Sequence, residues 1–522
     1  MIKLIPIDQI HASTYNPRKN DEQRLHLTEL SLRKLGFVLP IFADANGEIL
    51  SGHQRHFVAQ RMGFTQVPVE IVPAMPLEKR QATNVLFNRA TNDIKKAITT
   101  DDLRNTLYGS DIIAYCDAVP DIEPNTEESY PCVYQVKRMD TVQLAKKNAG
   151  RFDPHCFTNA RMLSENIGGA TMPVIIGEEE NVINGVGRLQ VASEKKKRFV
   201  QVVVVDKGRE EIARIFLNML SMDFDFKGRY ADVLRYNAFM RERNTRETDT
   251  EGNPALGNGF YMGIFPKYNG RDFCKLEGKA LELWVKKYGD SIVDFGAGKL
   301  NNTRTLRNAG LHVAAFEPYF VTLGDKVHKA TSLEITEKFL EEVESGVDYT
   351  SVFISSVFNS VPFIEDREKI AAILAALCVP NGQVICWCQS NKCGQFYSLS
   401  GKGVKESKRS SFLLEYEPNT SMGDLNLHLK VQKGHTEEEL RRIFSPHFKN
   451  IKRLEMIHLF WYMEADKPVV DPAKLAEALD FEFELPYPDG TRMGMSGRAR
   501  QAFEKRLGIT LPPPKEGGLT NA

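Results

Sequence analysis

No stretch of this chain is long and apolar enough to cross a bilayer. Its longest apolar run, around Ile370–Val379, falls far short of the roughly 20 residues that a membrane-spanning helix needs. The N-terminal MIKLIPIDQIH turns polar too early for the apolar core of a secretory signal. An excess of one charge is also lacking. The 68 Lys and Arg are matched by 68 Asp and Glu, so phosphate binding has to come from local patches and not from a whole-molecule field. Cysteine is sparse and poorly placed for metal: of eight, only Cys386, Cys388 and Cys393 cluster, and no second CxxC or His pair completes a zinc set. Cys386 and Cys388 fall on one face of an expected buried strand, which packing explains. No metal site is expected, and reduced thiols without an export signal lead to the expectation of a cytoplasmic protein.

What the chain does have is a repeat. Residues 39–72 and 172–205 follow one pattern without gaps, offset by 133 positions. Pro40 pairs with Pro173, Gly52 with Gly185, Arg55 with Arg188, Ala59 with Ala192 and Val67 with Val200; upstream, Arg18 and Gly36 find Arg151 and Gly169. Each copy predicts a strand after Pro (39–42; 172–176), a tight turn, a second strand (48–50; 181–183), and a Gly turn. A helix (54–61; 188–194) and a Val-rich strand (67–72; 200–205) then complete it. A strand, a Gly turn and a helix with Arg in its first turn can hold an anion, because backbone N–H groups and the helix dipole point at it. Helical stretches follow each copy at 77–88 and 209–222. Leu86-Phe87-Asn88 and Phe216-Leu217-Asn218 take like places in them, read as core packing. Residues 101–131, with DAVPDIEPNTEESYP, read as an acidic linker.

Asn16-Pro17-Arg18, Ser31–Gly36, Pro40 and SGHQRHFVAQRMGFTQVPVEIV together resemble the ParB/sulfiredoxin-type N-terminal domain of partition proteins and their phage relatives. The resemblance covers about residues 1–75, and over 138–206 it rests mostly on the internal match. It implies binding of phosphate, in DNA or in a nucleotide, by Arg18, Gly52, His53 and Arg55. Sulfiredoxins place a catalytic Cys in this box, where this chain has His53 and Gln54, so reductase chemistry is not implied. A second Arg and an acid are also missing, which removes the basis for nucleotide hydrolysis. Copy two replaces His53-Gln54 with Val186-Gly187 and carries Lys195–Arg198; it reads either as a degenerate structural partner or as a second phosphate contact.

The second half has a different logic. In SIVDFGAGKLNNTRTLRNAGLHVAAFE, a strand ends at Asp294, a turn holds Gly296 and Gly298, a helix follows, and a second strand ends at Glu317. This is a nucleoside-binding βαβ unit, in which glycines admit the ligand and an acid grips ribose hydroxyls. A dinucleotide fingerprint wants a third Gly where Asn301 stands, and Gly298-Lys299-Leu300 fails the phosphate-loop pattern. The D-x-G-x-G pattern with Glu317, a fourth strand leading to SSVFNSVPF, and VPNGQ before a fifth strand resemble class I S-adenosylmethionine-dependent methyltransferases over about 275–467. The resemblance implies that Asp294, Gly296 and Gly298 line the methionine end, Glu317 takes the ribose diol, and Ser355 faces the sulfonium. SSVF stands where base amino-methyltransferases carry [DNS]-P-P-[YFW], and no Pro-Cys follows the cofactor motif, so neither the acceptor nor a catalytic residue is named.

The expected architecture is therefore a multidomain α/β and α+β protein. Two tandem ParB/sulfiredoxin-like α+β modules (1–100 and 132–228) are followed by a Rossmann-like seven-stranded methyltransferase domain (229–467) and a C-terminal extension (468–522) with one helix and a frayed end. Thr436–Glu439 reads as a capping box. A lid is expected at 261–273 and a basic loop at Lys402, Lys405, Lys408 and Arg409. The function expected is a DNA-associated methyltransferase of phage or mobile-element type, with S-adenosylmethionine as cofactor and no membrane partner. The alternatives are a nucleotide-binding module coupled to another methyl acceptor, and a non-enzymatic partition-like DNA-binding protein.

Overall fold

The structure, a computed structural model, describes residues 2–13, 22–90, 110–122, 136–170, 172–220, 256–265, 276–321, 327–393, 419–423 and 430–514, with Arg235 and 411–413. Arg18, the 402–409 basic cluster, most of the expected lid and the last eight residues lie outside them. The chain divides into two compact units, one built on Met1–Ala231 and the other on Asp232–Tyr397 and Lys430–Ala522. Among the described residues no helix is long and apolar enough to cross a membrane.

The first unit contains two four-stranded sheets. In the first, β1 (Lys3–Pro6), β2 (Ile41–Ala43), β3 (Ile49–Ser51) and β4 (Gln66–Ile71) lie in the order β1-β4-β2-β3. In the second, β5 (Lys137–Asp140), β6 (Val174–Gly177), β7 (Val182–Asn184) and β8 (Phe199–Val205) lie in the order β5-β8-β6-β7. Register repeats as well. Ile41 faces Val69 and Val174 faces Val202; Phe42 faces Ser51 and Ile175 faces Asn184, each 133 positions on. Both hairpins shift register at the same place. Only the first strand departs: Leu4 faces Pro68 and Arg138 faces Gln201, an offset of 134.

The helices follow suit. In the first half, α1 (Glu22–Leu35) precedes the hairpin, α2 (His53–Arg61) follows it and α3 (Leu77–Ala90) closes the copy. Helix α4 (Ser110–Asp117) comes next, then α5 (Thr141–Asn148), α6 (Pro154–Asn166), α7 (Val186–Glu194) and α8 (Glu210–Met219). Helix α3 packs on α6, and α8 packs on α1. Asn166 of α6 donates to Thr83 of α3 at 3.2 Å, with both residues buried. Each copy thus lends its last helix to the first long helix of the other.

Two sequence expectations change here. Asn218 donates to the Ile183 carbonyl as Asn84 donates to the Leu50 carbonyl, so its counterpart is Asn84 and not Asn88. Both amides close the backbone of the hairpin's second strand, which periodicity alone does not mark. The stretch 110–122, expected as linker, begins with α4, whose Ile112 and Cys116 are buried. Lys34 then donates to the Val119 carbonyl at 2.6 Å and Ile122 N–H to the Arg33 carbonyl at 2.8 Å, docking the chain on the end of α1.

In the second unit, β9 (Ser291–Phe295), β10 (His312–Phe316), β11 (Tyr349–Ser355) and β12 (Cys378–Gln389) run parallel in the order β10-β9-β11-β12. The antiparallel hairpin Phe448–Ile457 and Phe460–Pro468 completes the sheet, pairing with β12 through its second strand. The sheet has six strands among the described residues, where seven were expected; β10 is its edge. Cys386 and Cys388 are buried in the core. The expected VPNGQ turn lies inside the span of β12, where pairing jumps from Tyr349–Cys378 to Ser351–Gln383 and the residues between loop out.

Around the sheet lie α9 (Asn258–Tyr261), α10 (Gly278–Tyr288), α11 (Asn301–Asn308), α12 (Lys329–Glu344), α13 (Ile364–Leu377), α14 (Glu437–Phe444), α15 (Pro472–Glu482) and α16 (Ser496–Leu507). The tail thus supplies two helices, not one. Helix α15 packs on α13, α16 packs on α12, and Leu475, Leu479, Phe483, Ala502 and Phe503 share one core with the sheet. Asp471 caps α15 through the Ala473 and Lys474 amides, with Pro472 in the first turn where its missing N–H costs nothing. Arg506 donates at 2.6 Å to the carbonyls of both Val347 and Leu377, and Arg500 makes a two-pronged bond to Asp480, which fixes α16 in place.

Candidate functional site

In the second unit, β9 is flanked by β10 on one side and β11 on the other; the chain passes from β9 out to β10 and then crosses back over β9 to β11. Parallel sheets bind ligands outside the carboxyl ends of their strands at such a switch point. Gly296 and Gly298 follow β9, Glu317 follows β10, and Ser355 ends β11, so the sequence-predicted residues converge on this crevice.

The glycine turn is tightly held. Gly296 has φ 77°, and a Cβ there would lie 2.2 Å from Val357 Cγ2, so only glycine fits. The N–H groups of Gly296 and Ala297 both donate to the Phe316 carbonyl, at 2.8 and 3.0 Å. Gly298 N–H donates to Glu317 Oε2 at 2.5 Å, and Tyr319 N–H donates to Oε1 at 2.9 Å. Three successive amides of the turn are therefore spent within the protein. A pyrophosphate needs such amides free, so the turn suits a ligand without phosphate at this place.

Asp294, expected at the methionine end, is the fourth residue of β9. It is buried, its Oδ2 accepts from Thr303 Oγ1 at 2.7 Å, and burial pushes its carboxyl up to about 6. The carboxyl ties β9 to the first turn of α11. Ser355 lies under α9: a Cβ on Gly259 would come 2.3 Å from Ser355 Oγ and 2.8 Å from Trp387 Cβ. Helix α9 is anchored through Gly257 N–H to Asn302 Oδ1 at 2.7 Å and by Phe260 stacked on Phe353 at 4.5 Å. It crosses the strand ends directly before the expected lid, and Gly259 and Asn302 carried no signal in sequence. Beyond Ser355, Ser356 has φ 64° and Asn359 Oδ1 accepts Gln389 N–H at 2.7 Å, which fixes the SSVFNS segment against β12.

A buried polar cluster next to that segment also escaped the sequence. Thr436 caps α14 through Glu439 N–H, as expected, but the Glu439 carboxylate does not return to close the box. It instead meets Arg367 at 2.6 Å, Lys433 at 3.1 Å and His435 at 3.6 Å, all three fully buried. Burial pushes the Glu439 carboxyl up, but His435, Arg367 and Lys433 outweigh it and hold it at about 2. Burial holds His435 down at about 4, the Glu439 contact notwithstanding, so the ring is neutral near pH 7. Behind Glu317 stands Glu482 of α15, pushed up to about 8 by burial first and then by Asp366 and Glu317.

In the first unit, the two Gly turns match. Gly52 and Gly185 have φ 102° and 107° and open α2 and α7. The Arg55 guanidinium turns inward to the Leu39 carbonyl, and burial lowers it to about 10. Arg188 does the same work, donating to the Pro173 carbonyl at 3.0 Å and Asn184 Oδ1 at 2.7 Å. The Gly-x-x-Arg skeleton common to both copies thus joins hairpin to helix. His53 Nε2 pairs with Ser13 Oγ at 2.7 Å, both buried.

No family model matches the chain. Over 76 residues, 15% of this chain and 87% of the relative, it is 25% identical to the ParB-like nuclease domain-containing protein YnaK of Escherichia coli K12. Among solved structures it is similar to an S-adenosylmethionine-dependent methyltransferase from Clostridium acetobutylicum, at 12% identity and TM-score 0.26, covering 40% of this chain and 97% of that one. It is also similar to a C-terminally truncated chromosome-partitioning protein ParB from Caulobacter crescentus complexed with CTP-gamma-S, at 19% identity and TM-score 0.18, covering 31% and 79%. One part of the chain is thus similar to a ParB-like protein.

Proposed function

We propose that the second unit is an S-adenosylmethionine-dependent methyltransferase and that the first unit brings it to DNA through phosphate contacts. The observation that carries the cofactor reading is the crevice at β9. A glycine turn with its amides already spent adjoins the buried Glu317 carboxylate at the end of the neighbouring strand. The residues present therefore fit the cofactor. Glu317 would hold its ribose, Gly296 and Gly298 would admit its body, and Ser355 under Gly259 would border its reactive end. When bound it supplies an electrophilic methyl group, and transfer then depends mainly on alignment of the acceptor. Positioning falls to the SSVFNS segment, held by Asn359.

Calorimetry with S-adenosylhomocysteine tests this reading. Glu317→Ala is expected to weaken binding at least tenfold, about 1.4 kcal/mol; equal affinity in the variant, or no heat with the wild type, rejects it. Incubation with labelled S-adenosylmethionine and duplex DNA then tests the acceptor.

For the first unit, Arg18, Gly52, His53 and Arg55 remain the proposed phosphate contacts, with copy two as the degenerate ParB-like partner. Because Arg55 also holds the hairpin, Arg18→Ala is the cleaner probe. It is expected to reduce the slope of log affinity against log salt for duplex DNA by about 1. An unchanged slope removes Arg18 from the contact.

A further inference from the structure

The buried cluster around Glu439 joins parts of the second unit that are distant in sequence. Arg367 comes from α13, Lys433 from the strand Lys430–Lys433, His435 from just before α14, and Glu439 from the first turn of that helix. Taking two cations and a carboxylate out of water is often no more stabilising than packing apolar side chains of the same volume, because desolvation offsets the attraction. Stability by itself therefore gives little reason for the cluster. Its connections give a better one.

Two routes lead from Glu439 to the segment between β11 and α13. On the first, Arg367 donates to Glu439 Oε1 and also to the Val361 carbonyl, each at 2.6 Å. On the second, the Glu439 carboxylate faces His435, whose backbone N–H donates to the Gln389 carbonyl at 2.8 Å. Gln389 N–H in turn donates to Asn359 Oδ1 at 2.7 Å. The segment is thus gripped at Asn359 and at Val361. The Phe358 ring lies 6.0 Å from that of His435 and 5.7 Å from that of Phe444. Nearer β11, Ser356 N–H donates to the Trp387 carbonyl at 2.7 Å, and Val357 packs on Gly296 so closely that a Cβ there has no room. A continuous set of contacts therefore runs from the Glu439 carboxylate to the glycine turn after β9.

We propose that Glu439 is a positioning residue for methyl transfer: through Arg367 and His435 it holds the SSVFNS segment, and through Val357 the glycine turn, in the arrangement that takes the cofactor. This rests on the cofactor reading of the β9 crevice. Arg367 is fully buried, so it acts through the segment and not on a ligand.

The test removes the three charged partners together. In the full chain carrying Arg367→Met/Lys433→Met/Glu439→Leu, the melting temperature is expected to hold or rise. S-adenosylhomocysteine is nevertheless expected to bind roughly tenfold more weakly, or worse, by calorimetry. Hydrogen exchange at the Ser356 and Ser360 amides, both bonded within the wild-type segment, is expected to accelerate as that segment opens locally. Leu340→Ala, which leaves a hole in the buried core beneath α12, serves as the control: a lower melting temperature, with affinity and exchange at those two amides unchanged. Equal affinity in the triple variant overturns the proposal, as does unaltered exchange at Ser356 and Ser360. A loss of affinity that Leu340→Ala reproduces, or that comes with a fall in melting temperature in the triple variant, makes the cluster merely structural and overturns it too. No heat with the wild type rejects the cofactor reading itself, and the proposal falls with it; heat with the wild type and equal heat with the triple variant rejects the positioning role alone.

Discussion

Glu482 shows how a single side chain reports its surroundings. Burial and the nearby Asp366 and Glu317 carboxylates raise its folded value to about 8, against 4.5 for an ordinary Glu. As pH climbs above about 4.5 the unfolded chain gives up this proton, whereas the folded chain keeps it until about 8. The raised value therefore works against folding increasingly across that window, by on the order of 1–4 kcal/mol at its upper end. Glu482→Gln is expected to match the wild type near pH 4.5 and to melt higher at pH 8, as thermal denaturation followed at both values would reveal. An equal difference at the two pH values would mean that Glu482 is ionised in the folded protein. Nothing in the sequence around Glu482 suggested this, because the acids that act on it come from β10 and α13. The Thr436 cap was legible because it is a contact of three residues. The Arg367–Glu439 pair, 72 residues apart, was not.

At the scale of elements, strand and helix positions in both copies were legible because Pro and Gly punctuate short alternating runs. The segment KRMD of β5 has no such alternation, and its one-residue shift against β1 appears only in the sheet pairing. The tail was misread for a related reason: α15 and α16 look like ordinary amphipathic helices, and only the missing third dimension assigns them to the core of the sheet. Helix α9 carries the prediction at this level. Gly259→Ala would drive a methyl group into Ser355 and Trp387, so α9 must lift from the strand ends. A backbone shift of this kind typically costs about 1–3 kcal/mol. The expected result is weaker S-adenosylhomocysteine binding with the sheet intact by circular dichroism. Unaltered affinity would show that α9 does not cover the crevice.

In the whole first unit, the exchange of α3 and α8 between the copies makes their stability common property. Asn166→Ala removes the buried bond to Thr83 and is expected to cost roughly 1 kcal/mol. Hydrogen exchange is the appropriate readout, with β4 and β8 expected to lose protection together. Loss confined to β8 would mean that the copies open separately.

That exchange of helices has the form of a two-fold dimer written into one polypeptide. Two identical chains related by a symmetry axis must carry the same residue at both of their sites, so neither site can change without the other. Here the peptide chain removes that constraint: one half packs Phe37 against Phe64, while the other carries Ala170 and Lys197 at the same offset of 133 positions. Dilution cannot part the halves, and their chemistry need not be equal. A unit built this way is expected to count a given ligand once per chain where a symmetric pair would count it twice.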